Sequence, residues 1–149
     1  MHSIQANKIW ELVEISRNRR ALPCKWVYRL KETSESTNPK YKAILVAKVF
    51  RQEYGVNFDE IFSPVVKMTT LRFMLGVVAT ENLELIQLDV KTAFLDGDLK
   101  EEIYMEQPKG FVLSGQEHIV CRLRKSLYGL KQAPRQWYKK FDDFIQSVG

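Results

Sequence analysis

The sequence predicts an α+β domain, mainly antiparallel sheet with packed helices, and three observations carry that expectation. Two runs with strand-like patterning, Cys24–Lys31 and Tyr41–Phe50, flank the polar stretch KETSESTNPK as the arms of a hairpin flank its loop. Two other segments, beginning near Thr69 and near Pro134, repeat apolar residues at helical spacing. The resulting order of strand pair, helix, strand, strands and helix lacks the regular strand-helix alternation of a parallel sheet. At 149 residues and 45% apolar, the chain is one domain or a piece of one and can bury a core. Seven glycines and five prolines exclude a collagen-like or low-complexity chain.

In the first strand Trp26, Tyr28 and Leu30 alternate with Lys25, Val27, Arg29 and Lys31, so one face is aromatic and the other basic. Tyr41–Phe50, rich in Val and Ile, is its predicted partner across a hairpin connection from Lys31 to Lys40. Residues 51–66 contain Gly55, Asn57, Asp59 and Pro64 and read as an irregular loop. Thr69 or Thr70 is expected to cap a helix in which Leu71, Met74, Leu75 and Val78 follow the i, i+3, i+4, i+7 rule, ending near Glu81-Asn82. Glu84 to Val90 then reads as a strand with Ile86, Leu88 and Val90 on one face and Asp89 on the other. Asp96-Gly97-Asp98 marks a turn, Ile103–Met105 and Ile119–Leu123 are short strand candidates, and Gln107–Gly115 is loop. Pro134 fits the first turn of a closing helix whose stripe is Trp137, Phe141, Phe144 and Ile145, with Lys139, Lys140, Asp142 and Asp143 outside it.

The net charge of +5 is segregated. Residues 1–52 carry eleven basic and four acidic side chains, residues 53–120 five and twelve, and residues 121–149 seven and two. Basic flanks around an acidic centre suit a protein that attracts a polyanion and holds divalent cations; ordinary surface scatter is the alternative. Cys24, Cys121, His2 and His118 show no metal-ligand spacing, and two cysteines build no disulfide framework. No apolar run reaches membrane-helix length and no targeting signal is seen, so the sequence reads as intracellular, cytoplasmic or nuclear, with no membrane partner.

Two segments carry candidate chemistry. In Gln87-Leu88-Asp89-Val90-Lys91-Thr92-Ala93-Phe94-Leu95 a carboxylate ends an apolar strand before a tight turn, which suits a hard cation such as Mg2+; a strand-end cap is the alternative. In Ser126 to Trp137 a Gly turn opens the closing helix beside Lys131 and Arg135, which suits a phosphate or nucleic-acid backbone; a capped surface helix is the alternative.

The blocks CKWVYRLK, YKAILVAKVFRQ, FSPVVKMTTLR, QLDVKTAFLDGDLKEEIYMEQPKGF and VCRLRKSLYGLKQAPRQWY, in this order, resemble the reverse transcriptase of copia-type long-terminal-repeat retrotransposons. The resemblance runs from about Lys8 to Gly149 and is carried best by LDVKTAFL and SLYGLKQAPRQW. It implies a truncated right-hand polymerase, with mainly fingers over about 1–83 and partial palm, including motif A and motif B-like segments, over about 84–149. It implies Asp89 as the first catalytic carboxylate bridging two Mg2+ ions, with the Val90 carbonyl as a further ligand. Phe94 resembles the gate that would clash with a ribose 2′-hydroxyl, while also serving as a core aromatic. Tyr128 and Gly129 match the segment beneath the incoming nucleotide, Lys131 a phosphate contact there, and Lys42 and Lys48 basic side chains near the triphosphate or template. The implied partners are an RNA or DNA template-primer, deoxynucleotides and the rest of a Pol polyprotein.

Two positions depart from the family pattern YKARLVAKG: Ile44 stands for Arg and Val49 for Gly. The first loses a charge-assisted phosphate donor worth about 1.5–3 kcal/mol, and the second is expected to strain a backbone position that needs positive φ. The family's YVDD-type aspartate pair is absent from the 149 residues, and Asp142-Asp143 reads as helix surface charge, so the chain alone is expected not to polymerise. A noncatalytic basic nucleic-acid-binding module and an unstable relic with an unpaired sheet edge at the Asp89 strand are the alternatives.

Overall fold

The computed structural model describes residues 8–17, 19–31 and 40–148. It contains strands β1 (Trp10–Glu14), β2 (Cys24–Lys31), β3 (Lys40–Ala47), β4 (Asp98–Met105) and β5 (Ile119–Lys125). The helices are α1 (Met68–Thr80), the single turn α2 (Ala93–Asp96) and α3 (Ala133–Val148). The expected α+β class with antiparallel sheets holds.

β2 and β3 form the predicted antiparallel ribbon, in register from Cys24 opposite Ala47 to Lys31 opposite Lys40. Residues 32–39 of the predicted hairpin connection lie outside the described residues. β3 ends at Ala47 instead of Phe50, because Val49–Arg51 winds into one 3-10 turn. Val49 is not at positive φ, so the expected strain there is absent. The second sheet has the order β1-β5-β4, all antiparallel. Its pleat sorts the side chains. Ile103, Met105, Cys121 and Leu123 turn inward and are buried, while Glu11, Glu102 and Arg122 face outward and pair at 3.3 Å and 3.6 Å. Arg124 also bonds Glu11 and holds its carboxyl below the ordinary value. β1 is an element the sequence reading did not identify.

The core lies between the ribbon and the sheet. Leu45 and Ala47 from β3 meet Ile103, Met105, Cys121 and Leu123 from the sheet, and Leu127, Leu130 and Ala133 close one end. Burial pushes the Cys121 thiol up to about 12, as expected for a reduced core cysteine. Two isolated bridges tie the layers together, Leu22 with Met105 and Val46 with Tyr128.

Four expectations fail. Leu83 to Val90 has no regular secondary structure and joins no ladder among the described residues, and Leu85, Ile86 and Leu88 are exposed. An alternating apolar pattern makes a strand only where a neighbour accepts its hydrogen bonds. α1 begins at Met68, with Lys67 rather than Thr69 or Thr70 at the N-cap and no side-chain cap. No residue of α1 is buried, and of its predicted apolar stripe Leu71, Met74 and Leu75 are exposed while Val78 is half-buried. The same holds for the outer half of α3, where Phe141, Phe144 and Ile145 are exposed and burial is confined to Ala133 and Gln136. The helices are therefore not uniformly packed as predicted. Asp96, Gly97 and Asp98 join α2 to β4, and the loops at 52–66 and 107–115 are irregular as expected.

Candidate functional site

The segment Leu127-Tyr128-Gly129-Leu130 fits against β3 because it contains a glycine where only glycine fits. Gly129 takes φ +93°, and a Cβ there would lie 2.2 Å from the Ala47 carbonyl oxygen. That close approach lets the Ala47 N–H donate to the Tyr128 carbonyl at 2.8 Å. Two buried amides hold the other side. Gln52 Nε2 donates to Gln132 Oε1 at 3.0 Å, Gln52 Oε1 accepts from the Lys131 N–H at 2.9 Å, and Gln132 Nε2 donates to the Asn57 carbonyl at 2.8 Å. Arg135 binds Glu60 and the Phe62 carbonyl, so the 52–66 loop is latched to the start of α3 along its length.

This docking creates a cleft of about 630 Å³ between the ribbon and the Asp89 segment. Trp26, Tyr41, Lys42 and Ile44 line one wall, Asp89, Val90 and Thr92 the other, and Leu127 and Tyr128 the base. Thr92 allows the turn by adopting a left-handed φ of 57°, a costly conformation for a β-branched residue, and its carbonyl accepts the Leu95 N–H at 2.8 Å. Strained backbone thus sits three residues from the candidate carboxylate.

Four of the residues singled out from sequence, Asp89, Val90, Lys42 and Tyr128, border this one cleft. Phe94 lies beside it, its ring edge-on to Tyr128 at 5.3 Å between centroids. Lys131 and Lys48 are not among the cleft-lining residues. The Lys131 ammonium sits 4.4 Å from the centre of the Phe58 ring. Lys48 lies near Cys24, whose thiol burial pushes up and the nearby lysine pulls down. The sequence reading missed Trp26 and Tyr41 as cleft residues, although their alternation with a basic face was visible, and it missed the Gln52–Gln132 pair, for which the sequence holds no local signal.

Among the described residues no three His, Cys, Asp or Glu side chains are placed to share an ion, and Asp89 is the acid in the cleft lining. Asp142 and Asp143 do not line it. One carboxylate with backbone carbonyls does not by itself fit a pair of Mg2+ ions, each of which needs near-octahedral oxygen ligation. No helix among the described residues is long and apolar enough to cross a membrane.

The chain belongs to the reverse transcriptase (RNA-dependent DNA polymerase) family, whose profile matches residues 7–149. It is 59% identical over 147 residues, 99% of its length, to the retrovirus-related Pol polyprotein from transposon TNT 1-94 of Nicotiana tabacum. Identity to the corresponding polyprotein from transposon RE1 of Arabidopsis thaliana is 42% over 96% of the chain. The Ty1-DR4 Gag-Pol polyprotein of Saccharomyces cerevisiae is 29% identical over 95%. The chain spans about a tenth of the length of these relatives, at 11%, 10% and 9% respectively. No solved structure matches it.

Proposed function

We propose that this chain is the fingers, about residues 1–83, and the front of the palm, about residues 84–149, of a right-hand polymerase within a copia-type Pol polyprotein. The function is template-directed deoxynucleotide addition to a primer. The observation that carries this reading is the convergence of Asp89, Val90, Lys42 and Tyr128, from distant parts of the sequence, on one cleft. In this reading Asp89 and the Val90 carbonyl would hold Mg2+ together with ligands from elsewhere in the polyprotein, and the metal would supply activation of the primer hydroxyl and charge neutralisation at the phosphates. Lys42 meets the triphosphate, and Tyr128 with Gly129 forms the surface beneath the incoming nucleotide. Phe94 acts through its contact with Tyr128 to exclude a ribose 2′-hydroxyl. Lys131 and Lys48, outside the cleft lining, reach phosphates along a strand that leaves it.

Because Asp89 is the one carboxylate these residues bring to the cleft, polymerisation needs further ligands from elsewhere in the polyprotein. A primer-extension assay with Mg2+ and deoxynucleotides tests this. The 149-residue chain is expected to give no extension above background, and robust extension would overturn the reading.

A second reading, a noncatalytic nucleic-acid-binding module, is favoured by one observation. Arg29 faces Lys42 across the ribbon, Lys25 and Lys40 share that face, and none pairs with an acid among the described residues. It predicts salt-dependent oligonucleotide binding that survives Asp89→Ala; affinity independent of salt would dismiss it.

A further inference from the structure

β1 is the open edge of its sheet. Among the described residues it pairs with β5 alone, whereas the far edge of β4 is engaged by Leu22, whose N–H donates to the Tyr104 carbonyl at 2.7 Å. An exposed edge is a row of unused donors and acceptors, and proteins blunt it with lysine, proline or a bulge. In the ribbon, β2 carries Lys25, Arg29 and Lys31. The β1 sequence, WELVE, has none of these devices, and its register with β5 is unbroken from Trp10 to Glu14. The charge of Glu11 is met by Arg122 and Arg124.

The ladder assigns the groups on that edge. The Arg124 N–H donates to the Ile9 carbonyl at 2.8 Å, so by alternation Glu11 with Arg122 and Val13 with Val120 are the next bonded pairs. The N–H and C=O groups of Trp10, Leu12 and Glu14 therefore face the open side. The side chains of the same three residues share the inner face with Cys121 and Leu123. There Trp10 and Leu12 border a hollow of about 530 Å³ together with Lys8, Pro108, Phe111 and Leu113. Leu12 is 41%, Leu113 45% and Phe111 47% exposed, so uncovered apolar surface lies beside open backbone.

The sequence of this edge fits itself. Two antiparallel copies centred on Leu12 place Leu12 opposite Leu12, Trp10 opposite Glu14 and Glu11 opposite Val13. Every residue with open backbone groups then meets another with the same, and no two like charges are opposed. Glu14 of the second copy also arrives beside Lys8, which lines the hollow next to Trp10, and gives that cation an acid. An extended peptide of other sequence would satisfy the backbone, but nothing would match its side chains to this spacing of tryptophan, leucine and acid.

We propose that two copies of this chain join through antiparallel β1 strands around a twofold axis at Leu12. The two three-stranded sheets become one, ordered β4-β5-β1-β1-β5-β4. The inference does not depend on chemistry at Asp89, whose cleft shares no lining residue with the hollow beside β1.

Hydrogen-bonded residues directly opposite each other lie about 5.5 Å apart between Cα atoms, within disulfide range. Leu12→Cys is therefore expected to form an intermolecular disulfide on mild oxidation by dissolved oxygen and copper, read on a non-reducing gel at twice 17.5 kDa. Glu14→Cys, whose copies lie about 13 Å apart along the strands, gives no such band, and neither does the parent with Cys24 and Cys121. Analytical ultracentrifugation at about 100 µM is the second readout, in an Ile86→Lys, Leu88→Lys background that suppresses association through those exposed side chains. That protein is expected at twice the monomer mass. Adding Leu12→Lys, which sets two cations against each other on the axis, returns it to the monomer with an unchanged circular dichroism spectrum. A monomer without Leu12→Lys, a dimer with it, or Leu12→Cys crosslinking no better than Glu14→Cys would each overturn the proposal.

Discussion

Gly129 fixes the site more tightly than any other single residue. Its left-handed backbone and the 2.2 Å gap that a Cβ would leave to the Ala47 carbonyl mean that any side chain pushes Tyr128 off β3. Gly129→Ala is therefore expected to destabilise the fold by at least about 2 kcal/mol, read as a lower urea midpoint. The tight turn was legible because Gly follows Tyr in SLYGLKQ; the strand it docks on was not, since sequence spacing does not encode a contact across more than 80 residues. Glu11 gives a pH test. Arg124 and Arg122 hold its carboxyl below the ordinary 4.5, so the folded state favours the ionised form. Its stabilisation is present above that value and lost as pH falls through the folded one. The difference in urea midpoint between the parent and Glu11→Gln is expected to persist at pH 7 and to shrink below about pH 4.5.

Among the strands expected from the sequence, those with a partner and a core face are the ones that formed. The alternation in Cys24–Lys31 and the short runs around Ile103 and Val120 became real strands because each has a partner and a core face. β1 was missed because its pairing is with β5, more than 100 residues away, where Arg122 and Arg124 also bind Glu11, and no local pattern announces that partner. Leu83–Val90 shows the converse, a strand pattern without a ladder. The same logic predicts unequal sensitivity to mutation. Leu45→Ala, at 2% exposure in the core, should cost about 2–5 kcal/mol, whereas Met74→Glu on exposed α1 should stay within about 0.5 kcal/mol. Gln132→Ala should cost about 1–3 kcal/mol, because it leaves the Gln52 amide buried without its partner. Chemical denaturation of the three variants checks the ranking.

At the scale of the whole molecule, the described residues combine a packed sheet-and-ribbon core with a large set of exposed apolar side chains. Val65, Val66 and Phe73 are all more than two-thirds exposed, as are Ile86 and Leu88. Surfaces of this kind drive association. Light scattering of the isolated chain should rise steeply with concentration, and Leu88→Lys with Ile86→Lys should reduce it. The candidate site was legible as a set of residues, Asp89, Val90, Lys42 and Tyr128, but not as a place. Its walls come from two layers, and only folding brings them together. The most direct measurement places this chain in the corresponding stretch of the tobacco TNT 1-94 polyprotein, 59% identical to it, and compares primer extension with and without Asp89→Asn. The substitution is expected to lower extension by about 1,000-fold or more while template binding is kept. Extension by the Asp89→Asn protein at the parent rate would contradict it.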